Sequence, residues 1–147
     1  MSSSLATAIR GYVTVRPFGS MVIPVPVQNL VLRNFAAQQN AEFLLSINEH
    51  KFDNCFMQLF TAVNSSKKGG EIAMCSSSML PQTQPALDEL INQVIQKDIT
   101  LHFAFENARA ASKNDFAKLL HNRNLSNLIE ASRIQVPAVL ELIKSNQ

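Results

Sequence analysis

Four short runs rich in β-branched, aromatic and aliphatic residues alternate with longer stretches of helical period, and this alternation limits the chain to few folds. The runs are Gly11-Tyr-Val-Thr-Val-Arg16, Glu42-Phe-Leu-Leu-Ser-Ile47, Glu71-Ile-Ala-Met-Cys75 and Thr100-Leu-His-Phe-Ala-Phe105. Between them, apolar residues recur at helical spacing. Val27, Leu30, Val31 and Phe35 form one stripe, Phe56, Leu59, Phe60 and Val63 a second, and Leu87, Leu90, Ile91, Val94 and Ile95 a third. Strands joined by helices pair in parallel and need cover on both faces. The expected fold is therefore α/β. It has three layers, with a mostly parallel four-stranded sheet flanked by helices, and extra helices toward the C-terminus. Residues 1–9 read as a leader, and 10–147 as a single α/β domain with a helical extension from about residue 112.

Breakers and caps set the boundaries. Pro17-Phe-Gly-Ser20 ends the first strand. Met21-Val-Ile-Pro-Val-Pro26 reads as an apolar loop that covers something, because Pro24 and Pro26 remove backbone donors. Asn40 stops the first helix, Asp53 is the expected cap of the second, and Lys67-Lys-Gly-Gly70 is a turn. Pro85 suits the first turn of the third helix. Ser112-x-x-Asp115 is a capping box that opens a helix through Leu120, and residues 124–133 and 137–145 read as further helices.

Composition narrows the functional classes. At 147 residues the chain has the size of one domain, and 46% hydrophobic residues supply a core. Only 16% are charged, against a usual figure of about 25%, which suits an oligomer interface or a covered cleft. The net charge of +2 gives no strong field, so no nucleic-acid partner is expected. Cys55 and Cys75 have neither a disulfide framework nor metal-ligand spacing, which points to a reducing compartment. No run approaches the roughly 18 apolar residues that span a bilayer, and the start does not read as a signal peptide. A cytoplasmic protein without membrane insertion is expected.

Right-handed crossovers bring the C-terminal ends of parallel strands to one edge, where ligands of open α/β sheets bind. Arg16 ends the first run, and Glu49 and His50 follow the second. Ser76, Ser77 and Ser78 follow the third, and Glu106 and Asn107 the fourth. Gln28, Asn29 and Arg33 lie on the first helix, on or near the same edge. Arginines hold carboxylate or phosphate, and the amides donate and accept. Glu49 and Glu106 form an acid/base pair if their surroundings separate their pKa values. The competing explanation is that any strand end is polar because loops face water. His102, inside the fourth strand, is either a satisfied interior histidine or a general base. Both cysteines read as structural. No Gly-x-x-x-x-Gly-Lys, Gly-x-Gly-x-x-Gly or Gly-x-Ser-x-Gly occurs, so no cofactor and no metal are expected.

Several blocks resemble the bacterial sporadic carbohydrate cluster proteins. They are Arg10-Gly-Tyr-x-Thr-x-Arg16-x-Phe18, Pro26-Val-Gln-Asn-Leu-Val-x-Arg33, Leu44-Leu-Ser-x-x-Glu49, Asn54-x-Phe-Met, Ser76-x-Ser-x-Leu-Pro81 and Leu101-His-Phe-Ala-x-Glu106. The resemblance spans about residues 10–107. It implies a role in surface-glycan (O-antigen or capsule) biosynthesis, as a cofactor-independent isomerase or epimerase acting on a sugar or nucleotide-sugar. The alternative is a non-catalytic partner or regulatory subunit of a carbohydrate-modifying enzyme. Within that frame Glu49, His102 and Glu106 are the catalytic candidates. Arg16, Gln28, Asn29, Arg33, Ser76 and Ser78 would bind the substrate, with a homo-oligomer or a pathway enzyme as partner.

A second resemblance is to the catalytic domain of serine recombinases, within a resolvase-like or flavodoxin-like fold. The Tyr-x-Arg-x-Ser pattern of that family falls on Tyr12, Thr14 and Arg16, so its arginine and its nucleophilic serine are both missing. Its Asp-Arg-x-x-Arg pattern is absent around residues 76–84. A shared fold without recombination is what this likeness implies.

Overall fold

The computed structural model describes residues 7–124. The first six residues of the expected leader and the helices expected beyond residue 124 lie outside these. The element order is β1 (Ala8–Val13), α1 (Val25–Gln38), β2 (Glu42–Asn48), α2 (Met57–Ser65), β3 (Glu71–Met74), a 3-10 turn (Ser77–Met79), α3 (Gln84–Gln96), β4 (Thr100–Phe103) and β5 (Ala108–Ala110). Helical backbone then runs over 113–124, called α4 below.

The sheet order is β2-β1-β3-β4-β5, with the first four strands parallel and β5 antiparallel at the edge. The fold is α/β as expected, with one strand more than the four expected. Ala108-Arg-Ala110 is too short to show alternation, and β5 exists because a tight turn at Asn107, with φ of 48°, folds it back onto β4. Right-handed crossovers put α1 on one face and α2 with α3 on the other, and α2 and α3 touch. The core between these layers includes Tyr12, Leu32, Leu59, Ile72, Leu90 and Phe103, all fully buried.

β3 and β4 each end one or two residues earlier than the sequence runs, at Met74 and Phe103, and three further boundaries differ for identifiable reasons. β1 begins at Ala8 and stops at Val13, because the next backbone groups are taken by a side chain. Gln28 Nε2 donates to the Thr14 carbonyl at 2.6 Å, and Gln28 Oε1 accepts the Thr14 N–H at 3.1 Å. Helix α1 begins at Val25, with Pro26 in its first turn, where a missing N–H leaves no bond unmade. Only Met21–Pro24 is loop, and Ile23 packs on the core while Val22 stays exposed. Helix α2 is not capped by Asp53: it starts at Met57 without a neighbouring cap, and the Glu49 carboxylate takes its first amides.

Other signals behave as read. Asn40 adopts φ of 55° just after α1, the left-handed stop that asparagine tolerates. The Ser112 Oγ accepts the Asp115 N–H, while Asp115 Oδ2 accepts the Ala111 and Ser112 amides, which opens α4. Gly11 is required by packing, since a Cβ there would press on the Ser46 hydroxyl and the Phe43 ring.

Candidate functional site

From β1 the chain crosses to β2 on one side, and from β3 it crosses to β4 on the other. The order therefore reverses between β1 and β3, and a crevice opens beyond their C-terminal ends. A cleft of about 560 Å³ lies there. The segment after β1 lines it with Thr14, Arg16 and Phe18, and the segment after β3 with Ser78, Met79 and Gln82. The β2–α2 loop adds Asp53, Asn54 and Phe56, and α4 adds Arg123.

Two arginines give the cleft its character. Arg16 lies 4.9 Å above the Phe56 ring centroid and donates to the Phe52 carbonyl at 2.6 Å. Those two contacts hold its planar head at the wall while leaving donors free. Arg123 reaches the other wall, where its Nη1 donates weakly to the Ser77 carbonyl at 3.5 Å. Its Nε is buried and has no hydrogen-bond partner among the described residues. Burial pushes the Arg123 pKa down, as expected for a guanidinium removed from water. Among the described residues the one ion pair is His102–Glu71, so neither cleft arginine has a carboxylate within 4.0 Å. Asp53 also lines the cleft, leaving two cations against one acid. The Ser78 hydroxyl makes no hydrogen bond among the described residues, although the Ser78 amide is bonded to Ser76 Oγ. The arrangement suits an anion with oxygen acceptors.

Of the nine residues singled out in the sequence, Arg16 and Ser78 meet in this cleft. The others serve elsewhere. Gln28 is fully buried behind it, with both ends of its amide used on Thr14 and Ile23. Asn29 accepts from the Ser46 hydroxyl, and Arg33 stands 5.8 Å from the Phe43 centroid, so both tie α1 to β2. Ser76 donates to Glu106 Oε1, which also accepts the Ser77 amide and hydroxyl. Glu49 accepts from Tyr12, His50, Gln58 and Leu59. His102 bonds Glu71 at 2.7 Å and leans on Phe35, beside a separate cavity of about 110 Å³. Glu49, His102 and Glu106 thus bond to separate partners and not to one another, and none lines the cleft. Their polarity is spent on helix capping, loop bracing and a strand-to-strand pair.

The sequence reading missed Arg123, Asn54, Asp53, Phe56 and Gln82. Arg123 had no local signal, since it sits on a helix remote in sequence from any parallel strand. Burial pushes the Cys75 thiol up to about 11, with Glu106 adding to the effect, as suits a structural cysteine. Among the described residues no cluster of three His, Cys, Asp or Glu side chains is placed to hold a metal ion. None of the described helices is long and apolar enough to cross a membrane.

No family model matches the chain, and no curated protein matches it. Solved structures do match. One is the N-terminal catalytic domain of TP901-1 integrase, at 12% identity and a TM-score of 0.55 over 86% of this chain and 97% of that one. This similarity is one of fold, and it agrees with the likeness to serine recombinase catalytic domains. The likeness to sporadic carbohydrate cluster proteins finds no such support. The expected role in surface-glycan synthesis, and with it a sugar or nucleotide-sugar ligand, is overturned by a structural neighbour that is an integrase domain. The exclusion of nucleic acid, drawn from net charge alone, falls with it. Total charge averages over the whole surface, whereas both cleft arginines are concentrated at one edge.

Proposed function

We propose that this chain is a nucleic-acid-binding domain of resolvase-like fold that takes backbone phosphate in the β1/β3 cleft and does not cut the strand through a serine ester. The observation that carries this reading is the pair Arg16 and Arg123, on opposite walls of one cleft without carboxylate partners among the described residues. Guanidinium groups match phosphate oxygens bidentately and stay charged at any working pH. The similarity to an integrase catalytic domain supports the choice of polymer over free phosphate. Binding without cleavage follows from the residues after β1. Thr14 and Arg16 stand where the recombinase pattern has its arginine and its serine. The hydroxyl of Thr14 accepts the Arg16 amide at 3.1 Å.

The test is electrophoretic mobility of labelled duplex and single-stranded oligonucleotides at low salt. Retardation of either form is expected, weakened by Arg16→Ala and by Arg123→Ala. No covalent adduct should survive denaturing electrophoresis. Unchanged mobility of both forms, or retardation indifferent to both substitutions, removes the proposal.

A further inference from the structure

Several exposed apolar side chains lie in the loops at the C-terminal ends of the strands. Val15 follows β1, Val22 lies between β1 and α1, Phe52 and Met57 lie between β2 and the first turn of α2, and Phe105 follows β4. All five belong to loops or a helix start at the C-terminal ends of the strands. Phe52 is 72% exposed and Phe105 45%. Aromatic rings held open to water lose the free energy that burial would give, and polar residues would serve the same loops. Phe52 is also joined to the cationic cleft. The Phe52 carbonyl is the acceptor that positions the Arg16 guanidinium, and the His50 ring stands 6.3 Å from the Phe52 ring.

We propose, building on the nucleic-acid reading above, that the ligand is a single strand: unpaired bases stack on Phe52 and Phe105 while Arg16 and Arg123 hold its phosphates. Flat rings beside a cationic groove are how proteins bind single strands without reading sequence, because every base has a π-face. A duplex keeps those faces against its own neighbours, so protruding phenylalanines meet nothing complementary. Stacking on exposed rings adds to phosphate contact only when the bases are free.

The test uses the full chain and fluorescein-labelled oligonucleotides of one sequence, as single-stranded DNA, single-stranded RNA and duplex DNA, followed by fluorescence anisotropy. Either single strand should bind more tightly than the duplex. Phe52→Ala should weaken single-strand binding about tenfold and leave residual duplex binding unchanged. Phe52 is mostly exposed, so its loss should leave the urea midpoint in place, which separates stacking from folding. Duplex binding as tight as single-strand binding, sensitive to Arg16→Ala but not to Phe52→Ala, overturns this inference and leaves the phosphate-binding proposal standing. Binding of no oligonucleotide overturns both. A dimer in light scattering that Phe52→Ala abolishes, without oligonucleotide binding, assigns the exposed rings to a second copy and also overturns it.

Discussion

Tyr12, the one tyrosine of the chain, donates its phenolic hydrogen to Glu49 Oε2 at 2.8 Å, and the same oxygen accepts the Leu59 amide at 3.0 Å. The other oxygen, Oε1, accepts the Gln58 amide at 3.0 Å and the His50 amide at 3.2 Å. One carboxylate thus joins the middle of the sheet to the start of α2, a helix without a capping side chain of its own. Amides at a helix N-terminus favour negative charge, and Glu49 is only 5% exposed. Replacing Tyr12 by Phe should cost about 1–2 kcal/mol, because it removes one donor to a buried charge. Glu49→Ala should cost more, about 3 kcal/mol, since it strands the tyrosine hydroxyl and two α2 amides. Urea denaturation checks both, and a Tyr12→Phe midpoint equal to wild type would show the bond to be idle.

The same pair predicts a pH response. Burial first, and then the Glu49 charge and its hydrogen bond, push the Tyr12 pKa well above the ordinary value of 10.0. The unfolded chain therefore loses its tyrosine proton at a pH where the folded chain keeps it. Stability from this group is whole below about pH 10 and declines as the pH climbs beyond it. Absorbance of tyrosinate near 295 nm follows a single residue here. It should rise only together with loss of helical circular dichroism. A titration near pH 10 in a chain that is still folded would contradict the burial of Tyr12.

Glu106 offers a way to separate bracing from catalysis. Its Oε1 accepts three hydrogen bonds from Ser76 and Ser77, all at 2.9–3.0 Å. The carboxylate itself stands in an exposed loop, so solvent screens much of its charge. Glu106→Gln keeps an acceptor oxygen and should shift stability by less than about 1 kcal/mol, whereas Glu106→Ala leaves buried serine groups unpaired and should cost about 1–2 kcal/mol. Oligonucleotide binding by Glu106→Gln should match wild type. If the glutamine variant binds normally but loses a reaction found in the wild type, bracing does not account for Glu106.

The strand ends show how far the sequence could lead. The strand–helix alternation gives the parallel sheet, because periods of 2 and 3.6 are local properties of the chain. It also gives the edge, because crossover handedness is general. What it lacks is direction. Arg16 and Glu49 look alike as polar residues after a strand, yet Arg16 turns to the cleft while Glu49 turns back to cap α2. The choice depends on a helix that starts at Met57 without its own cap, and this is a tertiary fact. Gln28 misleads in the same way, since its amide replaces a missing strand partner for Thr14. Arg123 reaches the cleft from α4, which follows the three-residue strand β5, and so short a strand leaves no readable pattern.

The two cysteines should differ sharply as nucleophiles. Cys75 is fully buried at the end of β3, and its thiol is pushed up to about 11 by burial and by Glu106. At pH 8 only about one Cys75 in a thousand is then thiolate, the form that attacks disulfide reagents. Cys55 is only half-buried, just before α2, so a reagent in solution can reach its sulfur. An aromatic disulfide reagent at pH 8 should therefore modify one thiol per folded chain promptly, with the second appearing only in denaturant. Cys55→Ser should remove the prompt phase, and Cys75→Ser should leave it intact. Two thiols reacting at one rate in the folded chain would mean that the end of β3 opens to solvent. Because Ser78 follows on the same segment, such opening would also undermine the cleft as a preformed site.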